Sequence, residues 1–214
     1  WNAARFCEMN ECAVPAGFDP SAVTQTVNKW ILAEAQATVA TVNKSLDEYR
    51  FNEAAAAAYR FVWNIFCDWH LEFAKPLFGG EDAAAKAETQ ATTAYVLDIA
   101  LKILHPFMPF VTEALWAETA KRDTQLIVAD WPQLDGLDDA DAEAEMSWLI
   151  DVITNIRSLK AEMNIAPGKP LNAVLVGASQ DILDRVERNR PLLARMARLE
   201  DISASDNVPP ASAQ

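Results

Sequence analysis

Three cysteines, Cys7, Cys12 and Cys67, and one of two histidines, His70, carry the donor atoms of a zinc site, three sulfurs and a nitrogen. Their C-x4-C and C-x2-H spacings are weak signals for such a site. Cys67 and His70 also sit in a strongly apolar segment, where packing is the simpler reading. Asp68 and Glu72 stand four apart, a spacing that puts two carboxylates on one helix face for acid and base work, but no nucleophile or orienting group accompanies them. His105 precedes Pro106 at a helix end, where an imidazole can bond a free carbonyl. Six scattered glycines leave no room for a phosphate-cradling loop. No catalytic and no metal-ligating residue is expected.

The elements that must position these residues are mostly helical. Alanine is abundant, glycine scarce, and the prolines fall between periodic segments. Asp19 before Pro20 offers a capping carboxylate and a proline at the first helical position. A helix is expected over 21–46, with Val23, Val27, Trp30, Ile31, Ala35 and Val42 on one face. The next, 51–79, carries too many aromatics for a surface element and reads as the central rod. In it Trp63, Phe66, Trp69 and Phe73 form an apolar stripe at three- and four-residue spacing. Replacing Trp63 or Trp69 by alanine is expected to cost about 3 to 5 kcal/mol. Further helices are expected over 82–104, 109–121 (with Phe110, Ala114 and Ala117 as a stripe) and 142–163. After a Pro/Gly linker at 166–170, a strand over 171–176, a helix capped by Ser179 and a strand over 201–204 suggest a βαβ-like unit.

The fold class expected is therefore mostly α: a helical bundle over 1–165, a small and incomplete α/β unit over 171–205, and a truncated tail over 206–214. The chain opens inside a periodic pattern without a capping residue, the mark of an excised piece. No run of about eighteen apolar residues and no secretory leader is present. Three cysteines are too few for a disulfide framework. A cytoplasmic monomer away from membranes is the expectation.

A net charge of −13 speaks against polyphosphate binding, which draws on Lys and Arg displacing counterions. Its distribution softens the objection. Asp130 to Asp151 holds eight acids and no base, whereas Arg157 to Arg198 holds eight bases against four acids.

Three segments carry a family resemblance: F-N-E-A-A-A-A-A-Y-R-F-V-W-N-I-F-C-D-W-H-L-E-F-A-K-P from Phe51, L-H-P-F-M-P-F-V-T-E-A-L-W from Leu104, and I-R-S-L-K-A-E-M-N-I-A-P-G-K-P-L from Ile156. In this order they resemble the anticodon-binding region of the bacterial valyl-tRNA synthetases, a class I aminoacyl-tRNA synthetase family. W-N-I-F-C-D-W, Trp63 to Trp69, is the most specific element. His70, where the family more often has tyrosine, and Leu159-Lys160 depart from its pattern.

The resemblance implies a module that docks the anticodon stem-loop of valine tRNA. Catalytic and editing sites, ATP and magnesium would belong to the rest of the parent enzyme, with a coiled-coil arm following this region. The H-I-G-H and K-M-S-K-S signatures of the parent class are absent here, so this piece alone is expected to be inactive and to hold no cofactor. Unstacked loop bases are read by base-edge hydrogen bonds and by stacking, while cations hold the backbone. Asn2, Arg5 and Phe6, spaced to share part of one helical surface, are the candidates for loop contacts. Arg157 and Lys160, three apart, and Arg50 are the candidates for phosphate contacts. The competing readings are a helical protein-interaction module without an RNA role, which the acidic balance would favour, and a small metalloenzyme.

Overall fold

In a computed structural model of the protein, residues 1–209 are described. Two compact units divide after Glu143. The first is all helical. Helix α1 spans Asn2–Met9, α2 Thr26–Asp47, α3 Phe51–Arg60, α4 Leu71–Phe78, α5 Ala83–Leu104 and α6 Pro109–Thr119. Helix α7, Ala140–Glu162, opens at the end of this unit.

Asp19 does cap a helical start, its carboxylate accepting from Ser21 N at 2.9 Å, but the turn it caps is a short 3₁₀ segment, Pro20–Ala22. Helix α2 begins at Thr26 instead, later than the expected 21. A residue of another helix supplies its N-terminal acceptor. The Glu88 carboxylate of α5 accepts from Thr24 N at 2.9 Å, Thr24 Oγ1 at 2.7 Å, Gln25 N at 2.9 Å and Asn28 Nδ2 at 2.8 Å. Those bonds fix the chain leading into the helix, and the one from Gln25 N satisfies its N-cap donor. The six apolar residues expected on one face of this segment are all buried.

Between α3 and α4 the rod continues as a π-helical segment, Phe61–His70, closed by bonds such as Leu71 N to Phe66 O. A run of ten residues is long for this conformation, which usually appears as a single turn. Closure five residues back changes which side chains share a face. Phe61, Phe66 and Leu71, five apart, are buried, whereas Trp63 is 57% exposed and Trp69 half-buried. The core assignment of Trp63 is thus overturned, because the closure places Trp63 on a face away from Phe61 and Phe66. Helix α6 is corrected too. Thr112, Leu115 and Trp116 face inward, and the expected stripe of Phe110, Ala114 and Ala117 lies outside, Phe110 being 91% exposed.

Asp82 caps α5, accepting from Ala84 N at 2.9 Å and Ala85 N at 3.0 Å. The long connection after α6 is pinned to α2 by Trp131 Nε1 donating to Asn43 Oδ1 at 2.6 Å and by Leu137 N donating to Gln36 Oε1 at 2.9 Å.

The second unit holds the rest of α7, strand β1 (Leu171–Val176), helix α8 (Gln180–Ala197) and strand β2 (Leu199–Ser205). The two strands pair in parallel, joined by the crossover helix. Ser179 Oγ caps α8, accepting from Ile182 N at 3.4 Å. Of the tail expected over 206–214, residues 210–214 lie outside the described residues. The fold is mostly α with a small α/β unit.

Candidate nucleic-acid interface

Helix α1 packs on α5 and α6 through its Ala4 and Cys7 side. Its exposed residues include Trp1 (70% exposed), Asn2 and Arg5. Arg5 makes no ion pair among the described residues, so its guanidinium is available to an anion. Phe6 turns to the packed side. Its ring lies 5.9 Å from that of Phe78, with Lys75 Nζ 5.7 Å from its centroid. Asn2 and Arg5 therefore share a surface that Phe6 borders rather than joins.

A cavity of about 670 Å³ opens beside this helix, lined by Trp1, Arg5, Cys7, Cys12, Asp98 and Arg122 among others. Arg122 is already neutralised, with a two-pronged pair to Asp98 at 2.7 and 2.5 Å and its guanidinium 3.8 Å from the Trp116 ring centroid. The cations left for a ligand on this side are Arg5 and the exposed Lys121.

Arg50 lies in the turn between α2 and α3, elements other than those α1 packs on. It pairs with Glu53 at 2.7 Å and with Glu48. Pairs this exposed are worth about 0 to 1 kcal/mol, so a phosphate can displace them.

In the second unit the two remaining candidates do different work. Arg157 is exposed and donates from Nε and Nη2 to the Met196 carbonyl at 3.2 and 2.9 Å. Lys160 is only 3% exposed, and Nζ donates to the carbonyls of Lys169 at 2.6 Å, Pro167 at 3.3 Å and Ala197 at 3.4 Å. Two cations from α7 thus hold the last carbonyls of α8, the negative pole of that helix. Lys160 is placed to tie the 167–169 linker to the end of α8. Arg198, in a left-handed conformation with φ 55°, lines the same cavity of about 400 Å³ with Arg157.

An exposed aromatic surface escaped the sequence reading. Tyr59 and Trp63 are 60% and 57% exposed, and their rings are parallel to within 6° with centroids 6.3 Å apart. Arg60 and Asn64 flank them, exposed and without an ion pair or hydrogen bond among the described residues. The four-residue spacing of Tyr59 and Trp63 sets them side by side, but their exposure follows from how the rod is wound.

His70 is fully enclosed. It stacks on Phe66 at 5.6 Å, and its Nε2 pairs with Thr93 Oγ1 at 3.1 Å, while burial lowers its pKa to about 3. That is a packed, neutral imidazole. The three cysteines are free thiols, and no cluster suited to a metal occurs among the described residues.

Residues 28–175 match the model of a family described as the anticodon-binding domain of tRNA ligase. The chain belongs to that family. The matched span runs from α2 into β1 and so covers the π-helical rod, the aromatic surface and both α7 cations, with α1 lying before it. Relatives extend the likeness over α1 as well. A valine-tRNA ligase of Caulobacter vibrioides is 52% identical over 219 residues, covering 100% of this chain and 24% of the relative. Those of Brucella suis biovar 1 and Nitrobacter winogradskyi are 50% and 46% identical, again over the whole chain and over 24% and 25% of their own lengths. This anticodon-binding domain spans about a quarter of the length of the curated relatives it matches.

Proposed function

We propose that this chain is the part of a valine-tRNA ligase that grips the anticodon stem-loop of valine tRNA, the ligase joining valine to that tRNA with ATP and magnesium at sites outside these residues. The observation that carries the proposal is the family match over 28–175, together with likeness to valine-tRNA ligases along the entire chain. The parent's catalytic domain and coiled-coil arm are its covalent partners, and a cytoplasmic monomer is the working state.

Loop bases fit the α1 surface, where Asn2 offers an amide for a base edge and Arg5 a cation that stacks or pairs with phosphate, with Phe6 supporting the helix from behind. Arg50 and Arg157 serve the phosphate backbone. Lys160 acts at one remove, as the residue that positions the end of α8 and the linker. The exposed Tyr59–Trp63 pair, with Arg60 beside it, has the composition of a base-stacking surface.

The test is direct binding of a hairpin carrying a valine anticodon, followed by fluorescence anisotropy across a salt series. Preference for that hairpin over one with another anticodon, with affinity falling steeply as salt rises, supports the reading. Equal and salt-insensitive binding of both would favour a protein-interaction module instead.

A further inference from the structure

The end of α1 places two of the three cysteines on one turn. Asn10 closes the helix and Glu11 takes the left-handed conformation, φ 55°. Cys12 N then donates to Cys7 O at 2.9 Å, and Glu11 N to Glu8 O at 3.0 Å. This is the Schellman closure, in which the residue two past the cap and the residue three before it bring their side chains together, a place normally taken by an apolar pair. Here cysteines occupy both positions. The 2.9 Å link, with standard bond lengths at either end, limits the separation of the two Cα atoms to ~7 Å. Disulfides span about 4.4 to 6.8 Å.

We propose that Cys7 and Cys12 are a redox-active dithiol that a hydroperoxide converts to an intramolecular disulfide across the C-terminal turn of α1.

The division of labour follows from burial. Cys12 is half-buried and lines the cavity of about 670 Å³, which gives a small oxidant access. Cys7 is 3% exposed. The neighbouring Cys7 thiol lowers the Cys12 pKa, while Cys12, burial and the nearby Cys67 push that of Cys7 up. Cys12 is therefore the thiol that ionises more readily and Cys7 the one that holds its proton longer. The Cys12 sulfur attacks one peroxide oxygen, the O–O bond breaks, and an alcohol or water leaves after taking a proton, giving a sulfenic acid. The Cys7 sulfur then attacks the Cys12 sulfur, the S–O bond breaks, and water leaves with the Cys7 proton. Two electrons pass from the sulfurs to the peroxide. Cys67, whose pKa is raised by burial and by Asp68, is the internal comparison.

The experiment treats the chain with dilute hydrogen peroxide and follows free thiols, peptide linkage by mass spectrometry, and reversal by a dithiol reductant. Wild type and Cys67→Ser should each lose two thiols together, with Cys7 linked to Cys12 and recovered on reduction. Cys7→Ala should halt at a Cys12 sulfenic acid that a dimedone probe captures, and Cys12→Ser should react at least tenfold more slowly. Mapping in the wild type stands whether or not either variant folds. A linkage between chains, a linkage through Cys67, or a Cys12 that oxidises no faster than Cys67 would overturn the proposal. None of these readouts involves RNA.

Discussion

The rings of Tyr59 and Trp63 lie parallel on the outside of the central rod, 6.3 Å apart and each more than half exposed. A tryptophan so placed adds little to the core, and the stability cost first expected of it moves to its neighbours. Trp63→Ala should lower the unfolding free energy by less than about 1 kcal/mol, whereas Phe66→Ala, at a fully buried position, should lose about 3 to 5 kcal/mol. Urea melts of the two variants check this, and equal losses would return Trp63 to the core.

Arg5 is the cation that the α1 face offers to an anion. Arg5→Ala should weaken binding of the valine anticodon hairpin and lower the slope of log affinity against log salt by about 1, while leaving the melt within about 0.5 kcal/mol of wild type. An unchanged slope would remove Arg5 from the interface.

Lys160→Met keeps an unbranched side chain one atom shorter and deletes the charge that holds the carbonyls of Lys169, Pro167 and Ala197. Leaving buried acceptors unmet should cost about 1 to 3 kcal/mol. Hydrogen exchange should speed up in the 167–169 linker and the last turn of α8. Faster exchange elsewhere, with this region unaffected, would contradict the positioning role.

His70 sets a pH dependence whose sign is fixed by burial. Its folded pKa of about 3 lies below the unfolded value near 6.5, so the unfolded chain binds the extra proton in between. Its contribution is complete above pH ~6.5 and is lost as pH falls toward 3, amounting to about 2 kcal/mol by pH 5. His70→Gln should flatten that part of the stability profile. A profile unchanged by the substitution would show that other groups set it.

Much of the fold was legible because local chemistry announced it. Asp19 caps a helical turn, Ser179 caps α8, and 171–176 pairs with the segment after the crossover helix. Where a distant residue decides, the sequence was silent. The true start of α2 depends on Glu88, some sixty positions away, and the face of the rod depends on a π-helical closure that periodicity cannot distinguish from an α-helix. The candidate site divides along the same line. Arg5 and Asn2 are exposed as their spacing suggested, but the carbonyls that engage Lys160 come from α8 and the linker, which no count of charges along α7 could reveal.

The central claim is tested most directly by titrating this chain with the valine anticodon hairpin at several salt concentrations, alongside a hairpin that differs only in its anticodon. The account predicts tighter binding of the valine hairpin, with affinity falling as salt rises and the preference narrowing when Arg5 is removed. Indifference to the anticodon at every salt concentration would contradict it.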